Sequence, residues 1–347
     1  MTAQWRVLVA GDANVDLILR GDVRPQFGQA EQLLTDCELV LGSSAGIAAA
    51  GLAQLGVPTS LVGCVGDDEF GRFTLRALSE RGVGTGDIRV VPEKRTAISV
   101  ILSAPDDRAI LTDLGAIPEL TAADVLEAAR TAEHVHFASY FLTPTLAEAM
   151  PGVLRELRTR GLTTSLDTNW DPSERWTGVG ELLPLVDYLL PNEHELRAIA
   201  ASIDPALACA DDSACARRLA EQGATVVVKA GAEGGWSMTP QGVRTSAPGL
   251  VLDPADTTGA GDSFDAGYLA AIGAGIDDER TRLRWAAVAG SLSTRANGGT
   301  AAQPTRDELV ARVDEPGAAI IPADPLPSVA APVSVRARQV AAGPASV

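Results

Sequence analysis

The chain has 347 residues, and 28 Lys and Arg stand against 45 Asp and Glu, which gives a formal net charge of −17. A chain of this length buries about three-quarters of its unfolded surface, so one large α/β unit or two domains would both fit. Nucleic acids and anionic membranes attract basic faces, and the acidic balance therefore argues against either as the main partner, while a small anion held by backbone amides stays compatible with it.

Short β-branched runs alternate with longer segments of helical period along most of the chain. This alternation predicts a mostly parallel sheet with helices on both faces, that is, an α/β fold. In chain order the predicted elements are strand 7–10, strand 60–65 with helix 70–81, strand 134–138 with helix 146–160, strand 164–167, strand 188–190 with helix 193–201, and strand 225–229.

Two regions, 18–40 and 96–114, are strand-like but no helix follows them. The second predicts a hairpin with strands at 97–102 and 108–111, which turns at Pro105-Asp106-Asp107. Extra strands outside a parallel sheet suggest a small β lid. From position 314 Pro and Ala dominate, so we expect residues 1–313 to form the folded domain and residues 314–347 a disordered tail.

Cysteine usage and the N-terminus bear on the compartment. Four cysteines are scattered without a CxxC or a zinc-ribbon spacing, which predicts reduced thiols. The first apolar run, Val7–Ala10, ends at Gly11 and is too short for a signal-peptide core or for a membrane span of about 20 residues. We therefore expect a cytoplasmic protein.

The strongest local motif is Asp256-Thr257-Thr258-Gly259-Ala260-Gly261-Asp262. Gly-Ala-Gly removes side chains where the backbone turns into a helix, so the first N–H groups can point at an anion. Asp262 lies in or beside the first turn, where a carboxylate either caps the helix or takes a proton from a hydroxyl that reacts beside a phosphate. The sequence has no P-loop motif and matches the Rossmann fingerprint poorly, so NAD binding is a minor alternative.

A second motif contains Asn192 and Glu195, at the end of a predicted strand and the start of a predicted helix. Asn192 at the N-cap with Glu195 three residues later would form a capping box. The same two side chains would also suit a Mg²⁺ ion that is held beside phosphates largely through its waters. The pattern leaves both interpretations open.

Polar residues also follow the first predicted strand. Ligands of open α/β sheets bind beyond the carboxyl ends of the strands, so Asn14 and Asp16 are predicted to hold substrate hydroxyls. The stretch Gly42-Ser43-Ser44-Ala45-Gly46 is either a simple turn at an element boundary or, through Gly42 and Ser43, part of the same substrate site.

Together these motifs resemble the ribokinase-like, or PfkB, family of carbohydrate kinases, and the resemblance runs from about Trp5 to Val313. The 256–262 motif matches the family's C-terminal signature throughout. The glycine-rich stretch 42–71, the Asn192 motif and the segment 227–231 agree in order and approximate spacing. The resemblance implies a central, mostly parallel sheet flanked by helices, with a small β lid that covers the sugar and in some members pairs two subunits.

The resemblance also implies roles for individual residues. By analogy Asp262 is the general base, and the backbone of Gly259, Ala260 and Gly261 forms the anion hole. Further roles carried over from the family are contact with sugar hydroxyls for Asp16, a magnesium site at Asn192 and Glu195, the lining of the nucleotide pocket for Lys229 and Gly231, and a monovalent-cation loop, for an ion such as K⁺, at Asp256 and Thr258.

One departure concerns the substrate. The family commonly has Gly-Gly-x-x-x-Asn at the glycine-rich stretch, whereas this chain has Ile47 in place of the Asn. An Ile side chain makes no hydrogen bond, so one sugar contact of ribose- and adenosine-type enzymes is expected to be absent. Arg95 on the lid is either a solvent-facing residue or a contact for an acidic or phosphorylated sugar.

The expected function is therefore an ATP-dependent, Mg²⁺-requiring kinase that phosphorylates a hydroxyl of a monosaccharide, with ATP and a small sugar as its partners. A nucleoside kinase of the same fold and a catalytically silent sugar- or nucleotide-binding protein are the alternatives. The lid makes a homodimer part of this expectation.

Overall fold

Two sheets form the framework of the structure, a computed structural model that describes residues 5–104 and 108–314. The predicted turn at 105–107 and the tail beyond residue 314 lie outside these residues. In chain order the strands are β1 (Val7–Ala10), β2 (Asn14–Gly21), β3 (Leu34–Leu41), β4 (Thr59–Gly66), β5 (Ile88–Val91), β6 (Ala97–Ser103), β7 (Arg108–Asp113), β8 (His134–Phe137), β9 (Thr163–Leu166), β10 (Tyr188–Leu189), β11 (Thr225–Lys229), β12 (Gly235–Met238) and β13 (Arg244–Ala247).

The larger sheet has nine strands in the order β13-β12-β11-β10-β9-β8-β1-β4-β5. The strands from β11 to β5 in this order run parallel to one another, and β12 and β13 add an antiparallel edge. The mostly parallel sheet predicted from the alternating pattern is thus confirmed. Since its strands are parallel, their carboxyl ends lie at one edge of the sheet.

Helices cover both faces of this sheet. They are α1 (Ser44–Gln54), α2 (Glu69–Glu80), α3 (Ala122–Ala128), α4 (Pro144–Thr159), α5 (Val179–Leu182), α6 (Glu193–Ile203), α7 (Asp212–Ala220), α8 (Ala260–Gly273), α9 (Glu279–Ser293) and α10 (Arg306–Val313). Alternate residues of a strand point to opposite faces. Leu8 and Ala10 accordingly pack with α3 to α7, whereas Val7 and Val9 pack with α1, α2 and α8 to α10. No helix in the described part of the chain is long and apolar enough to span a bilayer.

The second sheet has four strands in the order β3-β2-β6-β7. The two central strands are parallel, and each outer strand is antiparallel to its neighbour. We call this sheet the lid, because it carries the strands predicted within 18–40 and 96–114. Its first strand begins at Asn14 rather than near position 18. Asn14 and Asp16 were predicted to lie in a polar stretch after β1, but they alternate with Val15 and Leu17 as the residues of a strand do.

Candidate active site

The predicted site residues gather where the carboxyl edge of the large sheet meets the lid. Asp12 follows β1, Asn192 follows β10, Lys229 ends β11 and α8 begins beside them. Six buried acidic side chains are concentrated there, and several of them act on one another through their charges: Asp12, Asp16, Asp167, Glu195, Asp262 and Asp265. Such a concentration of buried charge is costly for a fold and is typical of functional sites.

Helix α8 begins with an open first turn. Gly259 precedes it in the left-handed region at φ 71°, and a Cβ at this position would lie 2.7 Å from Cα of Gly299. Only glycine meets both conditions without strain. No side chain of the described residues caps this helix at Gly259. The N–H of Ala260 donates to the carbonyl of Thr257 over 3.2 Å, and the amides of Gly261 and Asp262 that follow can face an anion.

Asp262 is the third residue of α8 and is only 8% exposed. Burial, with the negative charges of Asp167 and Asp12 added, raises its pKa to about 8, although Lys229 acts in the opposite direction. A carboxyl group with a pKa near neutrality suits general-base catalysis better than an ordinary surface carboxylate does.

Asn14 and Asp16, at the start of the lid strand β2, and Gly42, directly after β3, contact one another. The side-chain amide of Asn14 donates to Oδ1 of Asp16 over 3.0 Å, and the backbone N–H of Gly42 donates to the carbonyl of Asn14 over 3.2 Å. A Cβ at Gly42 would overlap the Asp16 carboxylate, so glycine leaves the room that this carboxylate fills. Burial and the charge of Asp12 raise the pKa of Asp16 to about 7.

Ser43 and Asp12 hold the start of α1. The Ser43 hydroxyl donates to the carbonyl of Asp12 over 2.7 Å and accepts from the N–H of Gly46 over 2.7 Å. The Asp12 carboxylate accepts from the N–H groups of Ser44 and Ala45. The turn interpretation of this stretch is therefore realised, and the hydroxyl of Ser43 is engaged within the protein.

Lys229 is buried between two carboxylates. Its Nζ lies 2.7 Å from Oδ2 of Asp167 and 3.2 Å from Oδ2 of Asp265. Burial disfavours the ammonium group, but the two carboxylates outweigh this effect and raise the pKa of Lys229. The charge of Lys229 is thus paired with two carboxylates of the acidic cluster, and its methylene groups pass close to Gly261.

A cavity of about 300 Å³ opens beside the first turn of α8. Its walls include Lys229 and Gly231, the residues predicted for a nucleotide pocket, and also Gly261 of the anion-hole motif. Most of the remaining lining is apolar: Leu250, Val251, Leu252, Pro254, Phe264 and Ala287. An apolar cavity that ends at an open helix N-terminus suits a ligand with a flat ring at one end and phosphates at the other.

Asn192 and Glu195 form the capping box of α6. Oδ1 of Asn192 accepts from the N–H of Glu195 over 2.9 Å, and the Glu195 carboxylate accepts from the N–H of Asn192 over 2.9 Å. Glu195 is 5% exposed, and burial together with the charge of Asp167 raises its pKa to about 7. The described residues contain no set of three or more His, Cys, Asp or Glu placed to chelate a metal ion directly.

The Asp256–Thr258 loop is tied down by hydrogen bonds. Oδ1 of Asp256 accepts from the N–H and the hydroxyl of Thr258, and Oδ2 accepts from the N–H of Gly298. Arg108 of β7 donates to the Thr258 hydroxyl over 3.0 Å. Arg95 is exposed.

A family model described as "pfkB family carbohydrate kinase" matches residues 5–306. The chain belongs to this family. It is a sugar kinase, and so a phosphotransferase with an alcohol group as acceptor.

Relatives of this pfkB-family kinase include proteins named ribokinase, ribose-1-phosphate kinase and fructokinase. An "ATP-dependent ribose-1-phosphate kinase" of Halopiger xanaduensis is 31% identical over 312 residues, which cover 89% of this chain and 98% of the relative. The ribokinase of Bacillus subtilis is 30% identical over 310 residues, or 87% and 97% of the two chains. A structure of Arabidopsis thaliana ribokinase complexed with ribose and ATP superposes with a TM-score of 0.77 at 25% identity, over 90% and 99% of the two chains.

Sequence reasoning missed four polar residues of this pfkB-family site. Asp12 lies in the polar stretch after the first predicted strand, where only Asn14 and Asp16 were predicted as site residues. Asp167 ends a predicted strand, and Asp265 follows Asp262 by three positions, so strand-end and helix-face positions were signals that could have found them. The position of Arg108 next to Thr258 required the tertiary structure, because 150 residues separate the two in sequence.

Proposed function

We propose that this protein transfers the γ-phosphoryl group of ATP to a hydroxyl of a monosaccharide and that Asp262 is the general base. The observation that carries the proposal is the placement of Asp262. Its buried carboxyl group follows the turn Gly259-Ala260-Gly261 directly, and Ala260 and Gly261 of this turn line the apolar cavity. The charge of Asp12 acts on Asp262 and also on Asp16, so Asp12 connects Asp262 to the group of Asn14, Asp16 and Gly42.

In the proposed reaction the sugar hydroxyl lies near Asp262. Asn14 and Asp16 form hydrogen bonds with the neighbouring hydroxyls of the sugar. Asp262 takes the hydroxyl proton as the oxygen forms a bond to the γ-phosphorus in line, and the bond from that phosphorus to the β,γ-bridging oxygen breaks to release ADP. Amides of the Gly259–Asp262 turn stabilise the charge on the transferred group.

The nucleotide is assigned to the cavity beside Gly231. Its apolar walls suit the adenine ring, and its inner end at Gly261 brings the phosphates to the open helix start. Closure of the lid would exclude water, which otherwise competes with the sugar as the acceptor.

Asn192 and Glu195 are proposed to serve Mg²⁺. Mg²⁺ usually keeps several waters and binds through one or two carboxylates together with substrate phosphates, so a single buried carboxyl group fits it better than a dedicated cage would. The acidic side chains around Lys229 add a negative field that favours a divalent cation. The ion would neutralise charge on the β- and γ-phosphate oxygens.

Three further assignments accompany the proposal. The Asp256–Thr258 loop is assigned to a monovalent cation such as K⁺, since its carboxylate and hydroxyl oxygens are ligands of the type that hard cations prefer. The exposed apolar side chains of the outer lid strands, Leu39, Ile110 and Leu111, favour a homodimer formed through the lid. The third assignment is a cytoplasmic location.

The proposal is tested by an ADP-release screen over ribose, fructose, ribose 1-phosphate and nucleosides, followed by the substitution Asp262→Asn. Removal of a general base is expected to lower kcat by about 10²- to 10⁴-fold with an unchanged fold. The matched control is Asp211→Asn at the N-cap of α7, which should retain full turnover. Near-normal turnover of Asp262→Asn would exclude Asp262 as the base, and ADP release with nucleosides alone would favour the nucleoside-kinase alternative.

A further inference from the structure

The ammonium group of Lys229 lies beside the first turn of α8. The side chain is only 10% exposed, and its Nζ would lie 3.8 Å from a Cβ placed on Gly261, the residue before Asp262. The backbone N–H of Lys229 donates to the carbonyl of Pro191 over 2.9 Å, which fixes this residue at the carboxyl end of β11. A buried positive charge thus borders the turn whose amides are proposed to bind the transferred phosphoryl group.

Two carboxyl groups hold the ammonium group in this place. Nζ of Lys229 lies 2.7 Å from Oδ2 of Asp167, after β9, and 3.2 Å from Oδ2 of Asp265, within α8. The backbone N–H and the side-chain amide of Asn169 both donate to the Asp167 carboxylate, which fixes its orientation. Oδ1 of Asp265 is buried and has no hydrogen-bond partner among the described residues, so this carboxyl group is held through Oδ2 alone.

The proposed base lies next to this arrangement. Asp265 follows Asp262 by three positions on α8, so their side chains lie on the same face of the helix. Neighbouring elements contribute four further groups that influence the charge of the Asp262 carboxyl group: Asp167 after β9, Asp12 after β1, Lys229 of β11 and the hydroxyl of Ser44 in α1. The two aspartates oppose a negative charge on Asp262, and Lys229 is the cation of this set that favours it.

We infer that Lys229 is a positioning residue for phosphoryl transfer, because it supplies the positive charge that lets Asp262 ionise inside the acidic cluster and take the proton of the acceptor hydroxyl. This inference rests on the proposed function, and it gives Lys229 a role beyond lining the nucleotide cavity. A buried ion pair adds little net stability, because the cost of removing both charges from water offsets their attraction. A base surrounded by carboxylates, in contrast, needs a compensating cation in order to ionise.

The test is the pH dependence of kcat with saturating ATP, Mg²⁺ and the acceptor found by the ADP-release screen. Lys229→Met removes the cation, so the pH at which kcat reaches half its maximum should rise by about one unit. Asp167→Asn removes an anion, so the same pH should fall by about one unit. The double variant should return close to the wild-type value. Carbon NMR titration of the Asp262 carboxyl group in the ligand-free protein checks the same shifts without turnover.

Arg282→Met is the matched control. Arg282 is a largely buried cation between two carboxylates, with guanidinium nitrogens 3.8 Å from Asp277 and 3.7 Å from Glu279. Glu279 also accepts a hydrogen bond from Tyr268, so this ion pair packs against the other end of α8. Arg282→Met should lower Tm but leave the pH dependence of kcat in place.

Shifts in opposite directions would not arise if Lys229 only stabilised the fold. The inference is overturned if both variants lower Tm without moving the pH dependence, if Arg282→Met moves it equally, or if Lys229→Met only raises KM for ATP, as loss of a phosphate contact would. If Lys229→Met does not fold, Asp167→Asn decides, and a pH dependence that is unchanged or moves upward overturns the inference. Absence of ADP release by the wild type would refute the proposed function, whereas release without these shifts would refute only the role of Lys229.

Discussion

Helices α1 and α8 begin side by side at the candidate site, but their first turns are built differently. In α1 the amides of Ser44 and Ala45 are bonded to the Asp12 carboxylate, and the amide of Gly46 is bonded to the hydroxyl of Ser43. Three amides that could bind an anion are thus already satisfied by side chains of the protein. This helix start is closed.

The first turn of α8 is open. Its N-cap is Gly259, which has no side chain to offer, and the two residues that follow are Ala260 and Gly261. The comparison teaches that a glycine-rich helix start indicates an anion site only when no neighbouring carboxylate reaches its amides. Asp12 closes α1. At α8 the nearest acidic residue, Asp262, lies within the helix; the amide of Ala260 donates to the backbone carbonyl of Thr257, and no side chain of the described residues takes the amides of Gly261 and Asp262.

Among the changes that test this comparison of helix starts, the largest expected effect comes from changing the open turn itself. Gly259→Ala adds a Cβ at a positive φ and close to Gly299, so the turn must shift. Displaced amides no longer meet the transferred phosphoryl group, and we expect kcat to fall by about 10²-fold, the scale of losing one anion-hole donor. Steady-state kinetics with saturating ATP and sugar measure this change.

Gly275→Ala is the matched control for this substitution. Gly275 has φ 75°, close to the 71° of Gly259, but its added Cβ would meet no atom within 4 Å. Both variants should lose about 1 kcal/mol of stability from the left-handed backbone, Gly259→Ala should lose more because its Cβ also contacts Gly299, and only Gly259→Ala should lose turnover. Equal activity in the two variants would contradict the role of the open turn.

A smaller effect is expected at the closed start of α6. Glu195→Gln keeps an acceptor for the N–H of Asn192 but removes the charge that attracts a cation, so half-maximal activity should require about tenfold more Mg²⁺. Titration of activity with Mg²⁺ measures this requirement.

The chain offers a second capping box as the control for Glu195→Gln. Thr121 and Asp124 form it at the start of α3, on the face of the sheet that lacks α8. Asp124→Asn should leave the Mg²⁺ requirement unchanged. If Glu195→Gln leaves it unchanged as well, the pair at α6 is a capping box and nothing more.

The fold and the open turn could be predicted from the sequence because both are local patterns. Alternation of strands and helices gives a parallel sheet, and Gly259-Ala260-Gly261 reads as an open helix start without tertiary information. The start of the lid was harder to predict from the sequence, because Asn14 and Asp16 look like a polar turn although they begin a strand.

Partners that are distant in sequence could not be predicted in the same way. Lys229 was expected to line a nucleotide pocket, and its methylene groups do border the cavity, but its ammonium group pairs with Asp167 and Asp265 across 62 and 36 positions. No periodicity or spacing encodes such pairs. For the same reason the sequence indicated Arg95 as a candidate contact on the lid, whereas the lid arginine that donates to Thr258 is Arg108.

The smallest expected effect is a change of stability with pH that arises from the buried carboxyl groups of the site. Burial raises the pKa of Asp262 to about 8 and that of Asp16 to about 7, from 3.8 in the unfolded chain. Between the unfolded pKa of 3.8 and the raised pKa of each group, the folded state binds more protons than the unfolded state. The free energy of unfolding therefore falls as pH rises, by about 1.4 kcal/mol per pH unit for each such group.

The window from pH 6.5 to 8 isolates this effect. Burial lowers the pKa of His134 to about 3 and that of His136 to about 4, so these two residues add stability with rising pH only below about pH 6.5, where the unfolded chain protonates them. Above it the raised carboxyl groups dominate, and Tm of the ligand-free protein should fall by a few degrees between pH 6.5 and 8. Asp262→Asn should make this dependence shallower, because its amide has no proton to lose while Asp16 and Glu195 still titrate, whereas Asp211→Asn should not alter it. A Tm that is constant or rises across this window would show that Asp262 is ionised in the folded protein, and the open turn of α8 would then face a negative charge before any substrate binds.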